Sequence, residues 1–307
     1  LCSGQTLSLI KGMAELMDTS QFTSGAPVTV PVEYNTRDLL IYALGVGSRD
    51  PRFVYENHSD FAAFPTYPIV LTFKGNSFDT LSFPSPTMMA FPQAALKGVK
   101  VGLDAEKYIE KVNELPKEGC KLLLVGGTAG VHKKGSGALV EQEFTLQDEQ
   151  GKVYYKLVNG AFLVGAKDFK DSGKTFSKNA TPPKEAPAHT IETATDVHMP
   201  SLYRLSGDYN PLHVDPQFAA MGGFPAPIMH GQCTMGIVSH ALLQNLAGGD
   251  AKRYKSVQLR FASPVMPGET LVTEVWKESP TNFIFQTKVK ETGKVCVNNG
   301  RFVLTPE

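Results

Sequence analysis

Alternating apolar and polar positions predict two β-hairpins, one near the middle of the chain and one at its end. In the first, ALVEQEFTLQ and VYYKLVNGAFLVG flank the turn Asp148–Gly151; in the second, NFIFQTKVK and VCVNNGRFVL flank the turn Glu291–Gly293. A period of two places alternate side chains on opposite faces of a strand, and a glycine in the turn permits the reversal. Each pair of runs is therefore predicted to form antiparallel strands.

A period of three to four residues replaces the alternation between Gly231 and Ala247, where it predicts a helix. Gly248 and Gly249 follow directly and supply the stop. The apolar stripe of this helix consists of Met235, Val238, Leu242 and Leu246. One apolar helix followed by alternating strands indicates a sheet curled around a central helix.

The two halves of the chain resemble each other in plan, which indicates a duplicated α+β unit. Each half places a stretch rich in glycine, proline and phenylalanine before its strands, SRDPRFVYENHSDFAAFP near residue 50 and GDYNPLHVDPQFAAMGGFPAP near residue 207. The alternative is a coincidental similarity of two β-rich domains.

A polar segment, Lys167–Ala188, separates the halves. It is rich in lysine, serine and proline and has almost no apolar periodicity, so it is predicted to be a linker outside any core. The predicted organisation is a first repeat over 1–166, the linker over 167–188 and a second repeat over 189–307.

Composition excludes several classes of protein. The 307 residues contain 30 Lys+Arg and 30 Asp+Glu, and without a basic excess no nucleic-acid partner is expected. No apolar run reaches the roughly 18 residues of a membrane helix, so no membrane span is expected. The cysteines lack C-x-x-C spacing, which favours reduced thiols over a disulfide framework. They are Cys2, Cys120, Cys233 and Cys296.

Candidate chemistry is densest between Tyr203 and Asp215. Asp208 and His213 flank an Asn-Pro turn that can point both side chains into one pocket. A carboxylate near an imidazole stabilises its protonated form, so the pair is expected to exchange a proton near neutral pH. Asn210 can hold a water or a carbonyl oxygen. The structural alternative is that Asp208 caps a turn and His213 is a satisfied histidine.

A second signal lies in PIMHGQCT, where Gly231 begins the predicted helix. A glycine N–H at a helix N-terminus meets no side-chain obstruction and sits at the positive end of the helix dipole. It is suited to bind a carbonyl oxygen that becomes an oxyanion. The alternative is an ordinary helix start.

SGDYNPLHVDPQFA followed by PIMHG resembles the MaoC-like, R-specific enoyl-CoA hydratase family, whose motif is Gly-Asp-x-Asn-Pro-x-His with a downstream His-Gly. The resemblance covers essentially the whole chain. YNTRDLLIYALGVGSRD, FVYENHSDFAAFPTYP and YIEKVNELP are similar to the hydratase 2 units of peroxisomal multifunctional enzymes. It implies a double hot-dog fold with a catalytic second repeat. The first repeat would have lost the catalytic residues and opened to accept a long acyl chain.

The resemblance also implies roles for individual residues. Asp208, Asn210 and His213 match the family's catalytic positions, and Gly231 matches its oxyanion donor. Five further residues match positions that serve activity or support the site, with His230 expected to be structural and Arg204 to brace a carboxylate or meet a CoA phosphate. They are Tyr203, Arg204, Asp215, His230 and Glu56. One departure is Leu103–Lys107 (LDAEK), where relatives often read Leu-His-Gly-Glu-Gln; it makes a functional role for this segment doubtful.

The implied reaction is the reversible hydration of trans-2-enoyl-CoA to (3R)-3-hydroxyacyl-CoA in fatty acid β-oxidation. No cofactor or metal is expected, because the chain has no H-E-x-x-H, P-loop or dinucleotide fingerprint. Acyl-CoA is the expected partner, with a homodimer as the assembly. The alternatives are a dehydratase acting on acyl carrier protein substrates, a hot-dog thioesterase and a non-catalytic acyl-CoA-binding module.

The two ends of the chain bear on whether it belongs to a longer protein and on its cellular location. A start at Leu1 rather than methionine is consistent with a piece of a larger multifunctional chain, and the final LTPE is not a Ser-Lys-Leu address. A peroxisomal location is implied by the resemblance, with the cytoplasm as the alternative.

Overall fold

The computed structural model describes residues 16–306, so Leu1, Cys2 and Glu307 lie outside the described residues. The strands are β1 (Val28–Asn35), β2 (Val101–Lys111), β3 (Gly119–Lys134), β4 (Gly137–Gln147), β5 (Val153–Val164), β6 (Ser172–Gly173), β7 (His189–Ala194), β8 (Tyr254–Phe261), β9 (Thr270–Lys277), β10 (Asn282–Val289) and β11 (Val295–Leu304). They form one antiparallel sheet in the order β1-β3-β4-β5-β2-β8-β11-β10-β9-β7, with β6 beside β3.

Most of the helices are short. They are α1 (Ser20–Thr23), α2 (Thr36–Gly45), α3 (Pro51–Val54), α4 (Leu71–Lys74), α5 (Pro86–Ala90), α6 (Met199–Tyr203), α7 (Pro216–Met221) and α8 (Gly231–Ala247). Short 3-10 helices lie at Tyr67–Val70, Arg204–Ser206, Pro211–His213 and Ala251–Arg253. None of the helices within 16–306 is long and apolar enough to cross a membrane.

The strand order shows the duplication directly. Counted inward from its edge, the first half reads β1-β3-β4-β5-β2 and the second reads β7-β9-β10-β11-β8. Each strand of one half therefore has a counterpart at the same place in the other. The halves join at their equivalent strands, where β2 pairs with β8 and Lys107 lies opposite Leu259. The predicted α+β repeat is confirmed, and both predicted hairpins form, as β4–β5 and β10–β11.

The helix α8 has the bounds that its apolar periodicity predicts. Eleven of its residues are buried, and it packs on β7, β8 and β11. It ends at Gly248, whose left-handed backbone (φ 57°) suits glycine. The second half is therefore a sheet wrapped around one central helix.

The first half is built differently at the corresponding place. Between Phe64 and Gly75 (φ 60°) the chain forms the 3-10 helix Tyr67–Val70 and the single turn of α4. Pro68 lies in the first turn of the 3-10 helix, where its missing N–H costs no hydrogen bond, and the left-handed backbone of Gly75 follows the end of α4. The space that a long helix would fill is left to side chains and to a cavity.

The predicted linker, Lys167–Ala188, runs against the sheet and carries buried residues. It lies outside the main hydrophobic core, but Phe169 and Ala180 are buried in two smaller clusters. Backbone N–H groups of Phe176 and Ser177 donate to Glu141 Oε1 at 3.0 and 2.8 Å. These contacts order a segment that its polar composition alone would leave without structure.

Candidate active site

A cavity of about 540 Å³ opens where the two halves meet, and residues from both line it. Asp208, Asn210, His213 and Gly231 all contribute to its wall. The structure thus brings together the four residues predicted to carry the chemistry.

The Asn-Pro turn holds its side chains through local hydrogen bonds. Asn210 Oδ1 accepts from the N–H of Leu212 at 3.1 Å and caps the 3-10 helix that Pro211 begins. The N–H of Asn210 donates to Asp208 Oδ1 at 3.2 Å. Because these bonds use one oxygen of each side chain, the second oxygen of Asp208 and the Nδ2 of Asn210 remain for a ligand.

Asp208 and His213 face each other without a direct hydrogen bond among the described contacts. Their ligand atoms lie within 4.8 Å of one another, a separation that one water can bridge. His213 Nδ1 lies 2.9 Å from the carbonyl oxygen of Ile228, so it carries the proton and donates. Nε2 of His213 is then the ring nitrogen with a free lone pair.

Burial sets the protonation of both groups. Burial raises the pKa of Asp208 to about 7, although the N–H of Asn210 lowers it, and burial lowers the pKa of His213 to about 4. The lowered pKa of His213 contradicts the prediction that the carboxylate stabilises the protonated imidazole and that the pair exchanges a proton near neutral pH. Desolvation outweighs the attraction between the two groups, so near neutral pH the imidazole is neutral and the carboxyl is close to its midpoint.

His230 and Tyr203 lie behind this pair and are absent from the cavity wall. His230 is fully buried, its ring stacks on His213 with centroids 3.7 Å apart, and its Nε2 lies 3.2 Å from the carbonyl oxygen of Asp208. The Tyr203 ring lies 5.0 Å from His230. Both residues therefore hold the Asp208–His213 turn in place through packing and one backbone hydrogen bond.

Gly231 is the first residue of α8, so its N–H has no acceptor one turn earlier in the helix. A Cβ at this position would lie 3.1 Å from the Phe261 ring, closer than ordinary packing allows. Close packing in the cavity wall thus favours glycine, which leaves an N–H donor at the positive end of a helix of 17 residues.

The other three predicted supporting residues also lie outside the cavity wall. Arg204 stacks on the Tyr209 ring, with its Cζ 4.8 Å from the centroid. Asp215 caps α7 by accepting from the N–H of Gln217 at 2.8 Å. Glu56 is exposed on the first half. The first two brace local structure, and Glu56 has no contact with the cavity wall.

The first half supplies polar residues to the cavity that the sequence did not reveal. Asp104 and Lys107, in the segment where the sequence departs from its relatives, form an ion pair, and the Lys107 side chain is buried. The charge of Asp104 raises the pKa of Asp208, and that of Lys107 lowers it. Gln142, Asn159 and the buried Gln232 also line the wall. The only sequence signal that could have identified Lys107, Gln142 and Asn159 is a polar residue at an inward-facing position of an alternating strand.

One group of side chains has the composition of a metal site. Asp208, His213 and His230 place one ligand atom each within 4.8 Å of one another, and carboxylate and imidazole are ligands that zinc accepts. Imidazole lone pairs lie in the ring planes. The two rings are inclined by only 28°, so their nitrogens are not aimed at a common point. The arrangement therefore suits a bridging water better than an ion.

Both halves match known domain families. Residues 32–165 match the MFE-2 hydratase 2 N-terminal domain, and residues 178–299 match the MaoC-like domain. A peroxisomal multifunctional enzyme type 2 of Drosophila melanogaster is 36% identical over 296 residues, which cover 93% of this chain and 48% of that protein. The chain thus spans about half the length of this relative.

Relatives of similar length exist as well. A peroxisomal enoyl-CoA hydratase 2 of Arabidopsis thaliana is 36% identical over 86% of this chain and 88% of its own length. The crystal structure of a MaoC-like dehydratase from Phytophthora capsici is 38% identical, has a TM-score of 0.88, and aligns over 95% of this chain and 99% of its own.

A double-hotdog protein from Mycobacterium tuberculosis, 14% identical with a TM-score of 0.56 over 91% of this chain and 96% of its own, shares the fold alone. The predicted double hot-dog architecture is thereby confirmed. Because its two repeats match two domains that occur together in these relatives, the chain belongs to the MaoC-like enoyl-CoA hydratase 2 family, a group of hydro-lyases.

Proposed function

We propose that this chain hydrates trans-2-enoyl-CoA reversibly to (3R)-3-hydroxyacyl-CoA, the hydration step of peroxisomal fatty acid β-oxidation. One observation carries the proposal. Asp208, Asn210, His213 and the first N–H of α8 lie on one wall of a cavity, and the Asp208–His213 gap suits one water. The names of the relatives, which include peroxisomal enoyl-CoA hydratase 2, support the same reaction.

In the proposed mechanism Asp208 moves the proton and His213 holds the water. The ionised Asp208 removes one proton from the water while the oxygen attacks C3 of the enoyl thioester. His213 Nε2 accepts a hydrogen bond from the second hydrogen, which stays on the new hydroxyl group. With its pKa raised to about 7, near a neutral working pH, Asp208 is a stronger base than an ordinary carboxylate and, once protonated, can still give the proton to C2 of the enolate.

The electron pair of the double bond moves onto the thioester oxygen during attack. We assign the stabilisation of this enolate oxygen to the N–H of Gly231, aided by the positive end of α8. One donor of this type lowers an activation barrier by about 3 kcal/mol. Protonation of C2 returns the electrons and completes a syn addition, because one carboxyl group serves both carbons.

The direct test follows the loss of the enoyl-thioester ultraviolet absorbance with crotonyl-CoA and trans-2-decenoyl-CoA. We expect wild type to hydrate a substrate to the R product. Asp208→Asn and His213→Ala should each lose at least about a hundredfold in kcat. Asp250→Asn is the matched control, since this aspartate only caps a 3-10 helix and asparagine caps equally well.

Two results would overturn the assignment. Activity that survives Asp208→Asn and His213→Ala would place the chemistry elsewhere. A wild type that leaves both CoA substrates untouched but dehydrates a 3-hydroxyacyl group on acyl carrier protein would favour the carrier-protein dehydratase. Circular dichroism and the thermal midpoint establish that each variant is folded.

We propose that the reaction needs no metal or other cofactor, because Asp208 can activate a water held between it and His213 without one. Dialysis against EDTA should leave kcat/KM unchanged, and added zinc should not raise it. Loss of activity on chelation, with recovery on adding zinc, would instead assign Asp208, His213 and His230 to a metal centre.

The assembly and context of the chain are further proposals. We propose a homodimer in solution, which light scattering after size-exclusion chromatography tests; a single-chain mass would contradict it.

The names of the relatives support a peroxisomal location and, for some of them, a longer multifunctional protein. Imaging the full-length natural protein with a peroxisomal marker tests the location, and a cytoplasmic signal would refute it.

A further inference from the structure

Three polar side chains cross the part of the cavity wall that the first repeat supplies. Lys107 on β2 lies opposite Asn159 on β5, which lies opposite Gln142 on β4. Residues directly opposite in antiparallel strands project from the same face of the sheet. All three line the cavity, and together we call them the polar row.

The polar row is only partly paired. Lys107 is paired with Asp104. Asn159 Oδ1 and Gln142 Nε2 are buried and have no hydrogen-bond partner within residues 16–306. Buried polar atoms are rarely left unpaired, because desolvation without a hydrogen bond costs stability. One unpaired acceptor and one unpaired donor on neighbouring strands therefore point to a ligand group that is absent here.

The residues around the polar row indicate where on a ligand this polar group lies. The polar row belongs to the first repeat, whereas Asp208 and Gly231 belong to the second. Aromatic side chains lie beside the row, including Phe91 and Phe144 with ring centroids 4.9 Å apart. A ligand reaching from Gly231 into the first repeat is thus an apolar chain with a polar group along it.

The unpaired donor and the unpaired acceptor of the polar row determine which chemical group of a ligand can pair with them. A hydroxyl accepts from an amide N–H and donates to an amide oxygen, so it can satisfy both Gln142 and Asn159. A carboxylate only accepts, and Asp104 already neutralises Lys107. An unsubstituted alkyl chain leaves both amides unpaired, and sites built to hydrogen-bond a hydroxyl discriminate against the analogue that lacks it.

We infer that the polar row recognises a hydroxyl group on the acyl chain, so that the preferred substrates are enoyl-CoA thioesters that carry a hydroxyl group beyond C3. This inference rests on the proposed function, because it names the substrate class of the same cavity. Asn159 and Gln142 act as specificity-determining residues, and the Asp104–Lys107 pair keeps this region neutral.

The test uses ligands that cannot react. Calorimetry compares the binding of decanoyl-CoA with that of decanoyl-CoA hydroxylated at each carbon beyond C3 in turn. We expect one isomer to bind wild type at least about fivefold more tightly than the unsubstituted chain, as one or two hydrogen bonds provide. In Asn159→Leu and in Gln142→Met this ratio should fall to one or below.

Gln93→Met is the matched control. Gln93 also lines the cavity, but its Nε2 already donates to the carbonyl oxygen of Phe91 at 3.0 Å. This variant should keep the preference for the hydroxylated chain. The two row variants lie on different strands, β5 and β4, so misfolding of one, detected by its thermal midpoint, leaves the other as the test.

Three results would overturn the inference. They are equal binding of all chains to wild type, a preference that survives both row variants, and tighter binding of a carboxylated chain than of every hydroxylated one. Hydration of unsubstituted trans-2-decenoyl-CoA tests the proposed function separately. An inactive protein that still prefers the hydroxylated chain refutes only the hydratase, and an active protein without the preference refutes only the polar row.

Discussion

At the scale of single residues, Asp208 has a stability cost that is linked to its chemistry. Its pKa is raised by burial to about 7, whereas an unfolded aspartate has a pKa of about 3.9. As pH rises, the unfolded chain releases this proton first, and the folded state loses stability until its own carboxyl ionises. The loss therefore develops between pH about 4 and about 7.

Removing the carboxyl group should therefore stabilise the protein at neutral and alkaline pH. We expect Asp208→Asn to unfold at the same temperature as wild type below pH about 4. Above pH about 7 it should gain up to about 4 kcal/mol. Thermal midpoints of both proteins across this range measure the difference, with Asp250→Asn as the control. Parallel curves would mean that Asp208 ionises like an exposed aspartate.

The same residue predicts the pH dependence of the reaction. If ionised Asp208 is the base, kcat/KM for hydration should rise with pH through a single limb near 7. His213, whose pKa lies at about 4, should add no limb above pH about 5. Initial rates with crotonyl-CoA across this range give the profile. A limb near 4 with a plateau at neutral pH would contradict the assignment of Asp208.

At the scale of elements, the start of α8 combines close packing with the proposed oxyanion donor. Gly231→Ala should alter stability by no more than about 1 kcal/mol, since alanine favours helices while its methyl group crowds Phe261. We expect kcat to fall at least about tenfold, because the crowded wall holds the thioester oxygen away from the N–H. Steady-state kinetics and thermal midpoints separate the two effects.

A second substitution tests whether crowding against Phe261 causes the expected loss of kcat in Gly231→Ala. Phe261→Leu added to Gly231→Ala relieves the contact with the ring and should recover part of the lost kcat. A wild-type kcat in the single variant would show that this N–H is not part of the reaction. Phe261→Leu alone controls for the loss of the aromatic ring from the cavity wall.

At the scale of the whole molecule, the two repeats share one main core and one sheet. Gly236 on α8 lies against Val46 of the first repeat so closely that a Cβ there would overlap Val46 Cγ1. Gly236→Ala should therefore destabilise the chain by about 1–3 kcal/mol, although alanine is the better helix former.

Urea unfolding measures this effect. Both repeats should lose structure in one transition, because the contact joins them. Gly127→Ala is the control, since nothing lies within 4 Å of a Cβ at that position. A second, separate transition for the first repeat, or an unchanged midpoint in Gly236→Ala, would show that the repeats are only loosely coupled.

The sequence by itself predicted one helix, two hairpins and the residues of the candidate site. The bounds of α8 and both hairpins follow from periodicity, which depends only on neighbouring residues. Asp208, Asn210, His213 and Gly231 lie within one short stretch, so a motif could identify them. The prediction that failed for Asp208 and His213 concerned their protonation and not their positions.

Tertiary structure alone decided the rest. Lys107, Asn159 and Gln142 come together through strand register, and the β2–β8 pairing brings their wall to Asp208; neither can be read from local sequence. The pKa values of Asp208 and His213 depend on how much protein surrounds them. The positions of Arg204 and Glu56 outside the cavity were likewise set by packing. Local sequence patterns determine which helices and strands form. Contacts between distant residues, together with burial, determine which side chains line the cavity and which of them are charged.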